Sequence, residues 1–551
     1  MSVLDDKNEL KVLMASRKGC FDSDLTECEP PAIWTKKGII LLYNGKNKAG
    51  EGNVNYAVNT IKTIIYSLSR KGAWGTFKNH MRNTLLFFFF LFATLLQAQT
   101  FSSDNEHLND AYRLAVNTLD INTRRGILAA GGDYGGEWTR DIAINSWFGA
   151  SLLRPQVAQR SLWSVTLNKE SIGHQYWDKI IWVMAAYNHY LVTGDKDFLR
   201  QAYVCSANTM KELETSVFDP KYGLFTGPSV FNDGIAAYNE PIFNPQIPSS
   251  ASVDHLKPFT AKCLSTNCVY YGAYKTLIEI QKQLQIDVSL SVSITEKAEA
   301  LKSNILKYLY NPEKGTFNYL IDQNGGIDHS QEGLGLSFAV LFGVVDKEQA
   351  ANAIVNAVVS SYGITSIYPD FPRFSNQKPG RHNNIIWPMV NGFFAKAAVA
   401  VGQYKTFDHE LNSLISLALD EDKGNYGFFE IYNPYTGKPD GGYQFGENDP
   451  EHHWVSCRLQ TWSATAFINM VHAGLLGFRF MPDGILFQPH LPNGIQVAEL
   501  SGVRYRNARL DITIKGKGTR IKSFKLNGKQ QTKAFVSSSA KGNVAVVVEL
   551  I

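Results

Sequence analysis

The chain has 551 residues, of which 44% are hydrophobic, 12% aromatic and 19% charged. This length exceeds one ordinary domain, although a large barrel can use most of it. The net charge of +4 gives no indication of a nucleic-acid partner. Because charged residues are few and apolar residues many, the composition excludes a disordered chain and predicts a sizeable folded core.

The segment that begins at Met81 has the pattern of a secretory signal. A basic start is followed by an apolar run at 85–96 and by a small residue, Ala98. The run is too short for a comfortable membrane span, and a buried helix is the alternative. We therefore expect a signal peptide at 81–99, a periplasmic or secreted protein, and no stable membrane insertion after the signal is removed.

Residues 1–80 precede this signal and are expected to be a non-native or remnant extension, because a signal peptide normally begins a protein. The run Ala-Ile-Trp-Thr-Lys-Lys-Gly-Ile-Ile-Leu-Leu-Tyr-Asn-Gly at 32–45 lies in a stretch, 13–60, that resembles one blade segment of the family 130 mannoside phosphorylases and mannosidases. One such fragment cannot bury the sheets of a propeller, so it implies no activity of its own. It weakly suggests a gene neighbourhood concerned with mannosides.

Between about 105 and 475, apolar residues recur at helical spacing. About a dozen segments show this pattern: 107–119, 142–153, 155–167, 178–193, 196–216, 267–284, 294–310, 334–342, 347–360, 386–401, 409–419 and 460–474. The links between them are rich in Gly, Pro, Asn and aromatic residues, and long ordered loops in a helical domain often carry function. We predict a helical domain at 100–478, whose long loops are candidates for function.

Near Phe480 the pattern changes to short strands separated by Gly and Asn. Asn527-Gly528 is a strong hairpin signal. The pattern predicts a small antiparallel, sandwich-like β domain at 479–551. Paired helices followed by such a domain suggest a mainly α fold built on an α/α toroid, although periodicity alone does not show that a ring closes.

The cysteines and the acidic clusters bear on disulfides and metal sites. After export, Cys263 and Cys268 could close a small loop, with free buried thiols as the alternative. The insertion at 440–454 contains glutamates and histidines, but their spacing fits no standard metal site. No metal and no cofactor are therefore expected.

Residues 131–141, Gly-Gly-Asp-Tyr-Gly-Gly-Glu-Trp-Thr-Arg-Asp, join glycines, aromatics and opposite charges at a predicted helix start. Glycine lets the backbone approach a ligand, and Trp138 can stack on an apolar ring face. Arg140 and Asp141 supply donors and an acceptor for hydroxyl groups. Together these groups suit a sugar; a capped helix start with one ion pair is the alternative.

Four further blocks could contribute chemistry. Residues 176–182 contain Trp177 and Asp178, for which helix capping and sugar binding both remain open. Residues 227–234, Gly-Pro-Ser-Val-Phe-Asn-Asp-Gly, carry Asp233, with an ordinary Asn-Asp-Gly turn as the alternative. The remaining blocks are Arg-His-Asn-Asn-Ile-Ile-Trp-Pro-Met-Val-Asn at 381–391, and Phe-Phe-Glu-Ile-Tyr-Asn-Pro-Tyr-Thr-Gly at 428–437 with Leu-Gln-Thr-Trp-Ser at 459–463.

In this order the five blocks, spanning about 105–475, resemble the α/α₆-barrel (six-hairpin) glycosidases. The nearest are the glycogen-debranching glucosidases and glycoside hydrolase family 63, which includes mannosylglycerate-hydrolase-like enzymes. The resemblance implies a mainly α fold, an (α/α)6 toroid with a small C-terminal antiparallel β domain, and a glycan substrate. Asn384 stands where the debranching enzymes have glycine, so the resemblance does not fix the backbone shape there.

The resemblance also implies roles for individual residues. Asp233 would be the general acid and Glu430 the general base, and burial beside aromatics such as Phe231 could raise the pKa of the acid. Glu240 is the substitute candidate for the acid. The expected substrate-binding residues are Trp138, Arg140, Asp141, Trp177, Asp178, His382, Asn383, Trp387, Tyr432 and Trp462.

With these roles the expected activity is inverting hydrolysis of α-linked glucose- or mannose-containing glycans, since one carboxyl protonates the leaving oxygen and the other activates water. A sugar epimerase or isomerase on the same barrel is an alternative, with His174, His255 and His382 as available proton carriers. A phosphorolytic enzyme would need a phosphate loop, which we do not find. A non-catalytic glycan-binding envelope protein would not need both carboxylates.

Overall fold

The computed structural model describes residues 99–134, 138–173, 175–241, 243–445 and 449–551, together with the backbone of seven short strands before residue 66. The chain divides into two compact units, Met1–Leu96 and Gln97–Ile551. In the first unit the paired strands are Ser2–Leu4 with Leu10–Val12, Leu25–Glu27 with Asn44–Lys46, and Gly38–Leu41 with Ile33–Thr35 and Ile64–Ile65. Apart from Gln99, the predicted signal peptide lies outside the described residues, so it remains a prediction.

Within the described part of the second unit, twelve α-helices have seven residues or more. They are α1 (Glu106–Ile121), α2 (Thr139–Asn145), α3 (Pro155–Ser164), α4 (Trp182–Thr193), α5 (Lys196–Ser216), α6 (Leu264–Leu284), α7 (Val288–Leu309), α8 (Gly333–Leu341), α9 (Lys347–Val355), α10 (Pro388–Ala400), α11 (Tyr404–Leu419) and α12 (Thr461–Asn469). None of these described helices has the length and apolar content that a membrane crossing requires.

The even-numbered helices form a closed inner ring. Each contacts the next along the chain, and α12 contacts α2. The odd-numbered helices form an outer layer, in which α1 packs on α12 and each other outer helix packs on the inner helix that precedes it. This is the predicted (α/α)6 toroid, and the contact between α12 and α2 supplies the closure that helical periodicity could not show.

The inner and outer helices differ in how many of their residues are buried. Every residue of α2 and of α12 is buried, because an inner helix is covered on all sides. In α1 the buried residues recur at helical spacing, as Leu108, Ala111, Ala115 and Leu119 do. The outer helices therefore need only one apolar stripe, and their other face is polar.

The C-terminal region is a β structure of two sheets. Its strands are β1 (Thr100–Ser103), β2 (Phe478–Met481), β3 (Gly484–Phe487), β4 (Val497–Tyr505), β5 (Asn507–Lys515), β6 (Ile521–Leu526), β7 (Lys529–Gln530), β8 (Phe535–Ser537) and β9 (Lys541–Leu550). The strand orders are β7-β6-β9-β5-β4-β1 and β2-β3-β8. All pairs are antiparallel, as predicted, except β5 with β9, and β1 comes from the residues that precede α1.

Short hairpins and ribbons of two-residue strands join the barrel helices. They are Thr123–Arg124 with Ile127–Leu128, Thr166–Leu167 with Ser171–Ile172, Phe218–Asp219 with Leu224–Phe225, Lys262–Cys263 with Leu320–Ile321 and Ile327–Asp328, Tyr310–Asn311 with Thr316–Phe317, Gln331–Glu332 with Ile367–Tyr368, and Val359–Ser360 with Gly363–Ile364. Cys263 and Cys268 are both buried free thiols, which corresponds to the alternative to a disulfide.

A buried carboxyl in the barrel gives the folded chain a pH-dependent stability. Burial raises the pKa of Glu410 on α11 to about 8, although its oxygens accept hydrogen bonds from the Ile364 amide (3.0 Å) and Asn391 Nδ2 (2.7 Å). In the unfolded chain the pKa of this carboxyl is about 4.3. The stabilisation that Glu410 provides is therefore complete below that value and is lost as the pH rises towards 8.

We expect Glu410→Gln to flatten this part of the pH dependence, since the amide keeps an acceptor for Ile364 and does not ionise. Urea unfolding between pH 5 and 8 would measure it, with a slope from this group of up to about 1.4 kcal/mol per pH unit in the parent chain. The exposed Glu348 on α9 offers a control, Glu348→Gln, that should retain the parental slope. Equal slopes for Glu410→Gln and the parent would contradict the expectation.

Candidate active site

A cavity of about 100 Å³ lies at the end of the inner ring where α2, α10 and α12 begin. Its lining residues are Ala130, Tyr134, Trp138, Arg140, Asp141, Asp233, Arg381, His382, Trp387, Glu430, Gln460 and Trp462. Trp138, Trp387 and Gln460 each immediately precede an inner helix. The fold therefore brings residues of four of the five sequence blocks to one small cavity. The block 176–182 contributes none of the lining residues.

Arg140, in the first turn of α2, is surrounded by three carboxyl groups. Its Nη2 donates to Asp233 Oδ2 at 2.7 Å, its Nη1 lies 3.4 Å from Asp178 Oδ2, and its Nε lies 3.7 Å from Asp141 Oδ2. The guanidinium also lies 5.1 Å from the centroid of the Trp138 ring. One buried cation thus faces three acidic side chains beside the cavity.

Asp233 lies on a loop whose backbone is strained just before it. Phe231 is fully buried with φ of +70°, a conformation that bulky side chains seldom adopt. Strain of this kind is commonly found at functional sites. Burial, the largest single effect, raises the pKa of the Asp233 carboxyl, but Arg140, His382 and Arg381 together hold this pKa below its usual value. In this arrangement Asp233 is therefore an ionised partner of Arg140.

Glu430 faces the cavity with donors on both oxygens. The Tyr134 hydroxyl donates to Oε2 at 2.6 Å, and Arg381 Nη2 donates to Oε1 at 3.0 Å. Its backbone amide donates to the Cys457 carbonyl at 2.8 Å, which fixes the main chain. The Glu430 side chain is only 6% exposed, so these contacts orient a nearly buried carboxyl group.

Two further carboxyls lie beside Arg140 and differ in access. Burial raises the pKa of Asp141 and of Asp178 to about 7 in each case, against the opposing effect of Arg140. Asp141 lines the cavity, and its Oδ1 has no hydrogen-bond partner in the described part of the chain. Asp178 is completely buried behind Arg140. Asp141 is therefore the one placed to receive a ligand hydroxyl.

Aromatic rings and unpaired polar atoms form the rest of the wall. His382 stacks on Trp387 at 4.3 Å and 7°, and Trp387 meets Trp462 edge-on at 5.4 Å. The indole nitrogens of both tryptophans and both ring nitrogens of His382 have no hydrogen-bond partner among the described residues. Buried polar groups are normally paired, so this wall is suited to a ligand with many hydroxyls.

Four predicted substrate-binding residues do not line the cavity. Trp177 is buried close to Gly227, and Asp178 makes no helix-capping bond but pairs with Arg140. The side chain of Asn383 accepts from the Phe371 amide, and the Tyr432 hydroxyl donates to the Gly427 carbonyl. These four residues lie behind the cavity wall, where a role in binding substrate would be indirect.

Glu240, the substitute candidate for the acid, is also outside the cavity. Its side chain is more than half exposed and is paired with Lys257. Asn384, which replaces the family's glycine, does not have a left-handed backbone; His382, two residues earlier, does, with φ of +64°. Asn384 instead donates from Nδ2 to Asp370 and to Tyr435, both at 3.0 Å.

Sequence reasoning did not single out Tyr134, Arg381 and Gln460, which also line the cavity. All three lie inside the blocks given above. The blocks therefore indicate where the cavity is, although their patterns do not identify these three residues. Two residues of the insertion 440–454 form hydrogen bonds with segments that carry site residues. The Ala236 amide donates to Gln444 Oε1 at 3.2 Å, and the Arg381 amide donates to the Tyr443 carbonyl at 2.9 Å.

Comparison with known proteins identifies a family for this geometry. Residues 141–446 match the model of the mannosylglycerate hydrolase MGH1-like glycoside hydrolase domain. No curated protein matches the chain in sequence.

Solved structures of similar fold include three glycosidase-type proteins. A sialidase matches with a TM-score of 0.62 and 17% identity over 80% of this chain and 42% of its own. The GH78 family rhamnosidase of Bacillus sp. GL1 matches with a TM-score of 0.55 and 13% identity, over 83% of this chain and 44% of its own. The GH63 mannosylglycerate hydrolase from Thermus thermophilus, solved with glucose, matches with a TM-score of 0.50 and 16% identity, over 65% of this chain and 99% of its own. The chain thus spans less than half of the first two, and the likenesses concern the fold.

Proposed function

The chain belongs to the mannosylglycerate hydrolase MGH1-like glycoside hydrolase family, and we propose that it is an inverting enzyme for α-linked glucose- or mannose-containing glycans. In this proposal Asp233 is the general acid and Glu430 the general base. One observation carries it: both carboxyls line a single cavity whose wall is aromatic and rich in unpaired polar atoms.

The proposed reaction needs one proton donor and one proton acceptor on opposite sides of the sugar. Asp233 donates a proton to the departing glycosidic oxygen, while Glu430 removes a proton from the attacking water. Positive charge develops on the ring in the transition state, where the Asp141 and Glu430 carboxyls and the indole faces stabilise it. For inversion, the Asp233 and Glu430 carboxyls are expected to be about 6.5–9.5 Å apart.

The ion pair between Arg140 and Asp233 must change for Asp233 to act as an acid. A general acid carries a proton, whereas Arg140 favours the ionised form of Asp233. We propose that a sugar hydroxyl binds Arg140 and weakens this pair. Burial then raises the pKa of Asp233, so that substrate binding itself protonates the acid.

The substrate class rests on the shape and chemistry of the cavity. A space of about 100 Å³ suits one sugar ring more than a continuous chain, which favours a terminal residue as the bound unit. The unpaired Asp141 Oδ1 and the two indole N–H groups supply one acceptor and two donors for its hydroxyls. The mannosylglycerate hydrolase with a similar fold was solved with glucose, which is consistent with a hexose. Export of the enzyme, suggested by the 81–99 pattern, belongs to the same proposal.

The experiment that tests this proposal follows hydrolysis and stereochemistry together. Purified protein is incubated with aryl α-glucosides, aryl α-mannosides and α-linked disaccharides, and the first product anomer is recorded by NMR. Inversion predicts that the β anomer appears first and that the α anomer arises only by later equilibration. An initial α anomer would contradict the assigned roles, and the failure of every α-glycoside would contradict the substrate class.

The histidines considered for an epimerase do not form a comparable site. Of the three, only His382 lines the cavity in the part of the chain that the structure describes, and burial lowers its pKa to about 3. His255 Nε2 is hydrogen-bonded to the Ser249 carbonyl at 2.7 Å. His174 lies outside the described residues. The hydrolase is therefore better supported.

A further inference from the structure

A second and larger cavity lies at the other end of the inner ring. Its volume is about 410 Å³, within the range of about 300–1,000 Å³ typical of small-molecule sites. All six inner helices contribute to it, each with at least one residue in its carboxyl-terminal half or just beyond, and β2 lines one side. We call this space the lower cavity. The catalytic role proposed above does not use it.

Aromatic rings form much of the wall of the lower cavity. They are contributed by Trp147, Phe148, Tyr187, Phe342, Phe478 and Phe480. Trp147 stacks on Phe342 with centroids 6.5 Å apart, and Phe478 meets Phe480 edge-on at 6.2 Å. This lining differs from that of the catalytic cavity, because it offers a broad apolar surface.

Both charged residues in the wall are cations. Lys396 on α10 and Arg479 on β2 line the lower cavity, and none of its described lining residues is an aspartate or glutamate. Lys396 Nζ lies 4.8 Å from the centroid of the Trp147 ring and 5.6 Å from that of Phe148. Ring faces and the carboxyl-terminal end of α10 favour a cation there, but the Lys396 ammonium has no carboxylate partner among the described lining residues.

The electrostatic cost of this arrangement is visible at Lys396. Burial, followed by repulsion from Arg479, lowers the pKa of Lys396 to about 8. A half-buried ammonium with a second cation nearby would be stabilised by a bound anion, since an opposite charge favours the charged form. Arg479 is an exposed residue, so an anion could reach this pair of cations from solvent.

Two further observations distinguish the lower cavity from a packing defect. Asn469, at the end of α12, is only 6% exposed, lines the cavity, and has an Oδ1 without a partner among the described residues. The helices on either side are widened by π turns, at Ser146–Ala150 after α2 and at Met470–Leu475 after α12. Such turns are frequent at functional sites.

We propose that the lower cavity binds a small amphipathic monoanion, namely a carboxylate that carries an apolar alkyl or aryl body. The body packs against Trp147, Phe342 and Phe478, and the carboxylate lies between Lys396 and Arg479. This site is separate from the glycosidase centre, and the inference does not depend on the proposed function.

Isothermal titration of the full-length protein tests the proposal with matched ligands. Octanoate and 4-phenylbutyrate represent the alkyl and aryl carboxylates, and 1-octanol and octylammonium present the same chain without a negative charge. We expect the carboxylates to bind at least tenfold more tightly than octanol and octylammonium not to bind. The stronger of the two carboxylates identifies the natural type of body. Equal binding of octanoate and octanol would overturn the proposal.

Three variants locate the binding. Lys396→Met removes the charge but keeps an apolar stem, and it should weaken octanoate at least tenfold while octanol is unchanged. Ala473→Leu, which adds volume to the cavity wall, should weaken both carboxylates. Lys405→Met, at an exposed lysine on the neighbouring α11, should have no effect. Circular dichroism and the Tm confirm folding of each variant. If folded Lys396→Met and Ala473→Leu bind octanoate like the parent, the inference is wrong.

Discussion

Replacing either of the two cavity carboxyls, by Asp233→Asn or Glu430→Gln, is expected to lower kcat on α-linked disaccharides by about 10²–10⁴-fold, the usual contribution of a general acid or base. The two losses should differ in their dependence on the leaving group. A good leaving group departs without a proton, so Asp233→Asn should retain most of its activity on 2,4-dinitrophenyl α-glycosides. Glu430→Gln cannot activate water, so its loss should be similar for every leaving group.

The measurement is a series of kcat values on aryl α-glycosides of increasing leaving-group pKa, for the parent and both variants. Asp233→Asn should show a steep dependence, and Glu430→Gln one close to the parent's. Glu240→Gln is the matched control, because Glu240 is an exposed carboxyl paired with Lys257 outside the cavity. It should behave as the parent does. A steep leaving-group dependence in Glu240→Gln, or full hydrolysis in both cavity variants, would refute the assignment of Asp233 and Glu430.

The sequence contained enough to predict the helices but not their closure into a ring. The segment predicted at 107–119 corresponds to α1, which begins at Glu106 because the Asn105 side chain accepts from the Leu108 amide at 2.9 Å. Apolar periodicity reports one buried face at a time. The contact of α12 with α2 joins segments from opposite ends of the barrel sequence, and periodicity carries no information on such pairs. The paired helices suggested a toroid, but only the family resemblance implied that the ring closes.

The same distinction explains what was missed in the site. Asp233 and Glu430 belong to blocks with recognisable residue patterns, and both line the cavity. Tyr134 donates to Glu430 across 296 positions of sequence. No local pattern identifies such a pair, because the ring brings the two loops together. Similarly, the parallel pairing of β5 with β9 follows from the route of the chain between them and not from either strand's alternation.

The largest effect on the pH profile is expected from Arg140, since this residue controls the ionisation of the proposed acid. Arg140→Lys keeps a positive charge but loses the planar group that contacts Asp233, Asp178 and Asp141 together. Truncating a buried, hydrogen-bonded charge pair typically costs about 2–5 kcal/mol, so kcat/KM should fall by about 10²–10³-fold. Lysine is preferable to methionine here, because three acids without a cation, two of them buried, would endanger folding.

The sign of the accompanying pH shift follows from the forces on Asp233. Burial raises its pKa and Arg140 lowers it, so weakening the ion pair leaves burial dominant and the pKa rises. A general acid loses activity above its pKa. The basic limb of kcat/KM, which reports the free enzyme, should therefore move to higher pH in Arg140→Lys. In the parent, the basic limb of kcat/KM should lie at lower pH than the basic limb of kcat, because bound substrate weakens the ion pair between Arg140 and Asp233.

The profiles of kcat/KM and kcat from pH 2.5 to 9 test both statements in the parent and in Arg140→Lys, because the lowered pKa of Asp233 places the parent's basic limb of kcat/KM at acidic pH. Arg154→Lys is a suitable control, since Arg154 forms a partly exposed ion pair with Asp120 at 2.7 Å, remote from the cavity lining. Its profiles should match those of the parent. If the two limbs of the parent coincide and Arg140→Lys leaves them in place, then substrate does not displace Arg140 from Asp233. The proton for the leaving group would then have to come from another residue.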